Sequence, residues 1–355
     1  METILEARAL TKDYEDFSLR GISLEVRRGS IAGIFGPNGA GKSTLIKVLT
    51  HQMPHRTGTV RVFGQSYEEH EPGIKNRIGY VPQEPAFYMD RSVRWTARFA
   101  APYFANWDGS CFYKLLDDFK VNPLRQVKHL SGGQRKLLSL ALALSHGADL
   151  LVLDEPTAGL DIVYRRALLD RLRAFVADGD RTVIVASHIT DGLDEIAEDV
   201  WFLNDGRIVT HEDKDELLSR WKWIHFREGA LPRAVEDRLK NVRRQPFGSS
   251  GLTDEFCELR DELATALAAG DARLENASLE DILLTQIPRR SAEVTQWCSL
   301  EVTLSGIGIW ISKWREMQHH PRRRRARGCS GASVAGSEIH RISRVFVNSS
   351  IFPRR

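Results

Sequence analysis

The sequence predicts an α/β protein built around a parallel sheet, and three observations carry that reading. A short apolar run from Ser30 to Phe35 ends in a glycine-rich turn, which opens into helical spacing from Lys42 to Thr50. A second apolar run, Leu150 to Leu153, is followed by the charged amphipathic stretch Val163 to Val176 and another strand, Thr182 to Ala186. That succession is the βαβ rhythm of parallel pairing. Between these sheet-building regions, Ser92 to Ser145 reads as helix, with Trp95, Phe99, Tyr103, Phe112, Leu115, Leu116 and Phe119 at mostly three- and four-residue steps.

The remaining elements follow in order. Ile4 to Ala9 and Phe17 to Val26 alternate or run apolar as strands do, and Thr59 to Phe63 and Arg77 to Val81 are strands bounded by turn residues. Val200 to Leu203 and Arg207 to Thr210, joined through Asn204, Asp205 and Gly206, form a hairpin. The core is expected to end near Arg220. Beyond it, Trp221 to Phe226, Leu231 to Val242, Thr253 to Ala269 and Leu279 to Ile287 make a small, mixed α/β, helix-rich extension reaching about residue 290. No internal repeat is visible.

Bulk composition bounds the function classes. A chain of 355 residues suits one large core plus an extension, and 42% hydrophobic with 27% charged residues is ordinary globular content. The net charge of +3 hides an asymmetry, because residues 313–355 hold eleven of the 50 Lys and Arg against only Glu316 and Glu338. The body is therefore mildly acidic. The basic stretch 291–355, with Pro321 followed by four arginines, lacks periodicity and is expected to be disordered. It is either an incidental extension or a segment drawn to anionic lipid or nucleic acid; sequence-specific nucleic-acid binding is not expected, since no aromatic residues interleave the arginines of 322–327. Cys111, Cys257, Cys298 and Cys329 form no C-x-x-C pair, which argues against a structural zinc or a disulfide scaffold. The first residues lack the pattern of a secretory signal, and no apolar run approaches the roughly 20 residues that span a bilayer.

The chemistry concentrates in three segments. Gly36, Pro37, Asn38, Gly39, Ala40, Gly41, Lys42 and Ser43 satisfy G-x-x-x-x-G-K-[ST] between a buried strand and a helix, with Thr44 next in that helix. The glycines let successive backbone N–H groups point at a phosphate, and the helix N-terminus adds partial positive charge. Lys42 supplies a full charge to the β- and γ-phosphates and Ser43 a hydroxyl to magnesium. Asp154 and Glu155 end an apolar strand, where alternation is expected to send them in different directions. Asp154 would serve the metal, and Glu155 would orient and deprotonate the attacking water. Taken alone, such an acidic pair is unspecific. Ser131, Gly132 and Gly133 open a helix, and alone they would be an ordinary cap.

Leu130-Ser131-Gly132-Gly133-Gln134, nineteen residues before the Asp-Glu pair, resembles the signature motif of the ATP-binding cassette family. The order of motifs follows that family through residue 220 or so. The resemblance implies a P-loop cassette with an antiparallel β subdomain, a RecA-like parallel core and a helical subdomain at about 84–148, together spanning 1–220, with the accessory extension at 221–290. It implies ATP and Mg2+ as ligands, and a head-to-tail dimer in which Ser131, Gly132, Gly133 and Gln134 of one cassette face nucleotide on the P-loop of the other. Gln83 resembles the glutamine that senses magnesium and the attacking water, His188 the histidine at the γ-phosphate, Asp161 the aspartate that meets the opposite cassette, and Tyr14 the aromatic residue that stacks on adenine. Phe17 competes with Tyr14 for that last role. Ile162 departs from a proline frequent in the family.

Only 47 residues separate Gln83 from Ser131, too few for the long coiled coil of the DNA-repair type, and one P-loop with one signature is unlike the paired cassettes of the translation type. Residues 101–108, 143–146 and 278–282 resemble the bacterial exporter branch, whose ATPases pair with a separately encoded permease. The resemblance implies a homodimeric ATPase subunit held peripherally, through the permease, at the cytoplasmic face of the cell membrane. A non-transport ATPase that switches a soluble partner by dimerising is the alternative. Phe87, Tyr88 and Trp95 beside Gln83 are either part of the permease docking surface or core of the helical subdomain.

Overall fold

The computed structural model describes residues 2–188, 192, 193, 195–227, 229–245 and 248–286, so the expected disordered tail at 291–355 lies outside the described residues. Along the chain, β1 (Thr3–Asp13) and β2 (Ser18–Arg27) pair antiparallel, and β3 (Ile31–Phe35) is buried along its whole length. After the glycine-rich loop come α1 (Lys42–Leu49), β4 (Thr57–Val62), β5 (Gln65–Ser66), α2 (Tyr67–Asn76) and β6 (Ile78–Val81).

The helical stretch is α3 (Val93–Ala100), α4 (Gly109–Asp118) and α5 (Gly132–Leu144). Each begins at a residue whose side chain accepts from the first turn: Ser92, Asp108 and Ser131. The sheet resumes with β7 (Leu150–Asp154), α6 (Ile162–Val176), β8 (Thr182–Ser187), β9 (Asp199–Asn204) and β10 (Arg207–Asp213), and α7 (Lys214–Arg220) follows.

The central sheet has the order β10-β9-β3-β8-β7-β6, parallel except for the β9–β10 hairpin. Its two faces bury different residues of the same strands, as the pleat requires. Leu151, Leu153, Val183 and Val185 pack with Phe112, Leu116, Phe119 and Leu137 on the helical side. Leu150, Val152, Ile184 and Ala186 pack with Leu45, Ile46, Leu5 and Val62 on the other. There the antiparallel sheet β2-β1-β4-β5 forms a second layer.

The last stretch holds β11 (Lys222–Phe226), α8 (Arg233–Glu236), β12 (Lys240–Gln245), β13 (Gly248–Thr253), α9 (Phe256–Ala268), β14 (Ala272–Asn276) and α10 (Leu279–Gln286). Its strands make an antiparallel sheet of order β12-β13-β11-β14. The region is thus more strand-rich than its composition predicts. β13 reads Gly-Ser-Ser-Gly-Leu-Thr, with no apolar alternation, and owes its conformation to pairing with β11 and β12 on both sides. The short helix α2 is not among the elements the sequence predicts; it carries Pro72 inside it, and His70 leaves helical geometry there.

Candidate active site

Strand register brings the chemistry to one level. Phe35 lies opposite Ser187, Asp154 opposite Ala186, and Val81 opposite Leu153. The residues that follow these strand ends, Gly36, His188, Glu155 and Pro82, therefore line the crevice outside the carboxyl ends of a parallel sheet, where open α/β sheets bind ligands.

Two glycines of the loop after β3 sit at close approaches that a larger residue would disturb. A Cβ at Gly36 would stand 2.1 Å from the carbonyl oxygen of Leu203. Gly41 has φ +105°, and a Cβ there would stand 2.4 Å from the Phe17 ring. Asn38 and Gly39 are exposed at the tip, and the Ala40 N–H donates back to Pro37 at 3.2 Å. Gly41 caps α1 without a side chain, so no side chain of the cap occupies the N–H groups of the first turn. Thr44 is half-buried in that turn.

Lys42 is buried. Its Nζ donates to the carbonyls of Gly36 at 2.8 Å and Pro37 at 3.1 Å, and stands 3.5 Å from Glu155 Oε1. Burial pushes its pKa down, and the neighbouring carboxylates of Glu155 and Asp154 oppose that shift.

Ser43 Oγ donates to Asp154 Oδ1 at 3.1 Å. Burial pushes the Asp154 carboxyl up, against the Ser43 hydrogen bond. Ser43, Asp154 and the exposed Gln83 line one cavity of about 300 Å³ with Lys47, Gln52 and Tyr80. Hydroxyl, carboxylate and amide oxygens are the hard donors that magnesium takes, and a carboxylate whose charge burial disfavours gains most from a divalent cation.

Glu155 does not continue the strand. Its φ is +49°, in the left-handed region, and its N–H donates to Ala186 at 2.8 Å. Asp154 and Glu155 diverge for this reason, and not by strand alternation as the sequence predicts. The buried Glu155 carboxylate accepts from the His188 N–H at 3.0 Å, His188 Nδ1 at 2.7 Å and Ser187 Oγ at 3.2 Å. With an acceptor there, the His188 proton belongs on Nδ1.

Other expected residues form a second, more exposed group. Ser131 caps α5 in a capping box: its hydroxyl accepts from the Gln134 N–H, and the Gln134 side chain accepts from the Ser131 N–H, both at 3.1 Å. Gly132 faces open space, whereas a Cβ at Gly133 would lie 3.2 Å from the Gly159 carbonyl oxygen. Asp161 caps α6, accepting from Val163 and Tyr164 at 3.0 Å. Beside it Ile162 is 80% and Val163 69% exposed, an apolar step on the surface. Tyr14 is exposed, its hydroxyl on Met53 Sδ at 3.1 Å, while the neighbouring Phe17 ring is the one that touches the loop at Gly41.

Sequence reasoning missed Lys136, whose Nζ donates to the carbonyls of Glu155 and Ala158, both at 2.7 Å. The available signal was a lysine just after the signature, on a helix that from Leu137 to Leu144 is apolar but for Ser139.

A family model described as ABC transporter matches residues 19–158. The Nod factor export ATP-binding protein I of Burkholderia orbicola is 31% identical over 293 residues, 79% of this chain and 95% of that protein. The bacitracin transport ATP-binding protein BcrA of Bacillus licheniformis is 28% identical, over 66% of this chain and 78% of that one. Among solved structures, cbiO1 of Clostridium perfringens, described as part of the ABC transporter complex cbiONQ, aligns at a TM-score of 0.52 and 26% identity, over 62% of this chain and 92% of its own.

Proposed function

The chain belongs to the ABC transporter ATPases, and from that premise we propose how its residues serve an exporter. It is an ATP-binding subunit of exporter type, in which ATP hydrolysis is coupled to transport. The observation that carries the residue assignment is the Glu155 carboxylate, 3% exposed, fixed by His188 and facing Lys42.

In this reading the loop N–H groups and Lys42 take the β- and γ-phosphates of ATP. Lys42 exchanges the Gly36 and Pro37 carbonyls for phosphate oxygens, whose negative charge offsets the desolvation of its ammonium. Ser43, Asp154 and Gln83 would hold magnesium, which would supply positive charge against the phosphates. Glu155 orients the attacking water and takes its proton, and His188 holds that carboxylate in place at the γ-phosphate. Tyr14 or Phe17 stacks on the adenine ring.

The exposed group completes the site from a second copy. Ser131 keeps a hydroxyl proton to donate, Gly132 leaves the helix terminus open, and Asp161 with the apolar step at Ile162 and Val163 meets the partner cassette. Burying two such side chains supports a homodimer. A ladder of half-exposed aromatics in the segment that follows Gln83 supports docking of a transmembrane permease. Tyr88 meets the Trp95 and Phe99 rings edge-on at 5.4 and 5.6 Å, Trp95 stacks on Phe99 at 5.1 Å, and Tyr103 continues the row. No described helix is long and apolar enough to cross a membrane. We place the subunit at the cytoplasmic face of the membrane through that permease. Residues 1–220 form the nucleotide-binding domain, with the helical subdomain at about 84–148 and an accessory module at 221–290.

The variant Glu155→Gln tests the assignment. ATP binding should persist, turnover should fall by two orders of magnitude or so, and an ATP-dependent dimer should accumulate on gel filtration. Hydrolysis at the wild-type rate would remove Glu155 from the mechanism.

A further inference from the structure

Lys136 sits on α5 five residues after Ser131, and both carbonyls it binds, those of Glu155 and Ala158, belong to the connection between β7 and α6. That connection starts at Glu155 and ends at Asp161. Three residues earlier on the same helix, Gly133 lies against the same connection, where a Cβ would meet Gly159 O and Leu160 at 3.2 Å. Residues three apart share a helix face. One face of α5 therefore grips the turn at two points, by close backbone approach at Gly133 and by an ammonium at Lys136.

The second grip is the more informative. Glu155 has a left-handed backbone, and two hydrogen bonds hold it from either side: its N–H on Ala186 O at 2.8 Å, and its carbonyl on Lys136 Nζ at 2.7 Å. A charged donor on a neutral carbonyl makes a stronger bond than an amide would. The Lys136 ammonium is half-buried; desolvation lowers its pKa and the nearby carboxylates of Glu155 and Asp154 oppose that. Its flexible stem lets three donors reach two carbonyls that no single backbone N–H could serve.

Resting on the dimeric reading above, we propose that Lys136 is a positioning residue that locks the backbone of Glu155 and ties it to the signature helix of the same chain. Ser131 to Gln134 face the nucleotide of the partner cassette, whereas Glu155 acts on the chain's own nucleotide. A shift of α5 on engaging one ATP is then delivered, through one ammonium, to the carboxylate that hydrolyses the other. The two ATP sites are linked inside each protomer as well as across the interface.

The test is steady-state ATPase kinetics of the full-length chain as wild type, Lys136→Met and Lys136→Gln. The methionine keeps the stem and loses every donor; the glutamine keeps a donor for one carbonyl and is the measured variant if the methionine chain fails to fold. The expected result is a kcat at least tenfold lower for Lys136→Met with KM for ATP within twofold, a Hill coefficient falling towards 1, and intermediate values for Lys136→Gln. A general loss of structure would raise KM and lower binding of a fluorescent ATP analogue as well, and that pattern in a folded variant overturns the inference. So does a folded variant with wild-type kcat and cooperativity. Inactive wild-type protein would instead overturn the functional reading itself.

Discussion

Two helices in this chain start beside glycines, and their first turns are finished in opposite ways. At α1 the cap is Gly41, with positive φ and no side-chain bond to the first turn, so no cap side chain competes with an anion for the N–H groups at the crevice. At α5 the cap is Ser131, and serine and glutamine satisfy each other's backbone N–H groups reciprocally. The difference teaches which terminus can bind phosphate unaided. α1 meets the crevice with no cap side chain on its first turn, while at α5 the Ser131 and Gln134 N–H groups are already paired, which leaves a hydroxyl proton and an open approach at Gly132. The first suits primary nucleotide binding, the second a supplementary contact made across an interface.

The contrast is broken most severely at α1. Gly41→Ala forces a Cβ towards the Phe17 ring at a φ that alanine disfavours, at a cost of about 2 kcal/mol. If half or more of that falls on the nucleotide-bound shape, affinity for an ATP analogue drops on the order of tenfold, measurable by fluorescence titration. Adding Phe17→Ala should recover part of the loss, since the ring is the obstacle. At α5 the expected pattern is different. Ser131→Ala removes a cap worth about 1 kcal/mol in a urea melt. It leaves ATP affinity of the isolated chain within twofold and lowers turnover about tenfold, because the hydroxyl is missed only in the assembled site. Equal losses of affinity in both variants would erase the distinction between the two termini.

The far end of α5 supplies the smallest effect. His146, just past the C-cap Ser145, is buried and stacked on Phe104 at 4.1 Å, and burial pushes its pKa down to about 4. The unfolded imidazole titrates near 6.5, so the unfolded chain binds the proton first. The stability contribution is complete above that value and is lost as pH falls towards 4. Between pH 7 and 5.5 the loss should be about 1 kcal/mol. His146→Phe should flatten that part of a urea-melt pH profile; an unchanged slope would assign it elsewhere.

Legibility in the sequence tracked locality. The loop from Gly36 to Ser43 and the pair Asp154 and Glu155 were readable because each carries its chemistry within a few consecutive residues and sits at an apolar strand end. The parallel core was readable for the same reason. The hydrogen bond from His188 to Glu155 was not, since it depends on β8 lying beside β7. Lys136 was invisible because its partners are carbonyls, which every residue has. β13 and β14 were missed because strand pairing, and not their own pattern, makes them strands. Alternation gave the right separation of the two carboxylates for the wrong cause, as a left-handed backbone cannot be foreseen at a glutamate.

That left-handed glutamate sets a tension between durability and chemistry. A residue with a Cβ at φ +49° is strained by about 1 kcal/mol relative to glycine, which adopts this backbone freely. Glycine at position 155 would relieve that torsion but, in the proposed mechanism, would remove the base that hydrolysis needs, together with the partner of His188 and Lys42. The working protein is therefore kept slightly short of its attainable ruggedness at one backbone torsion.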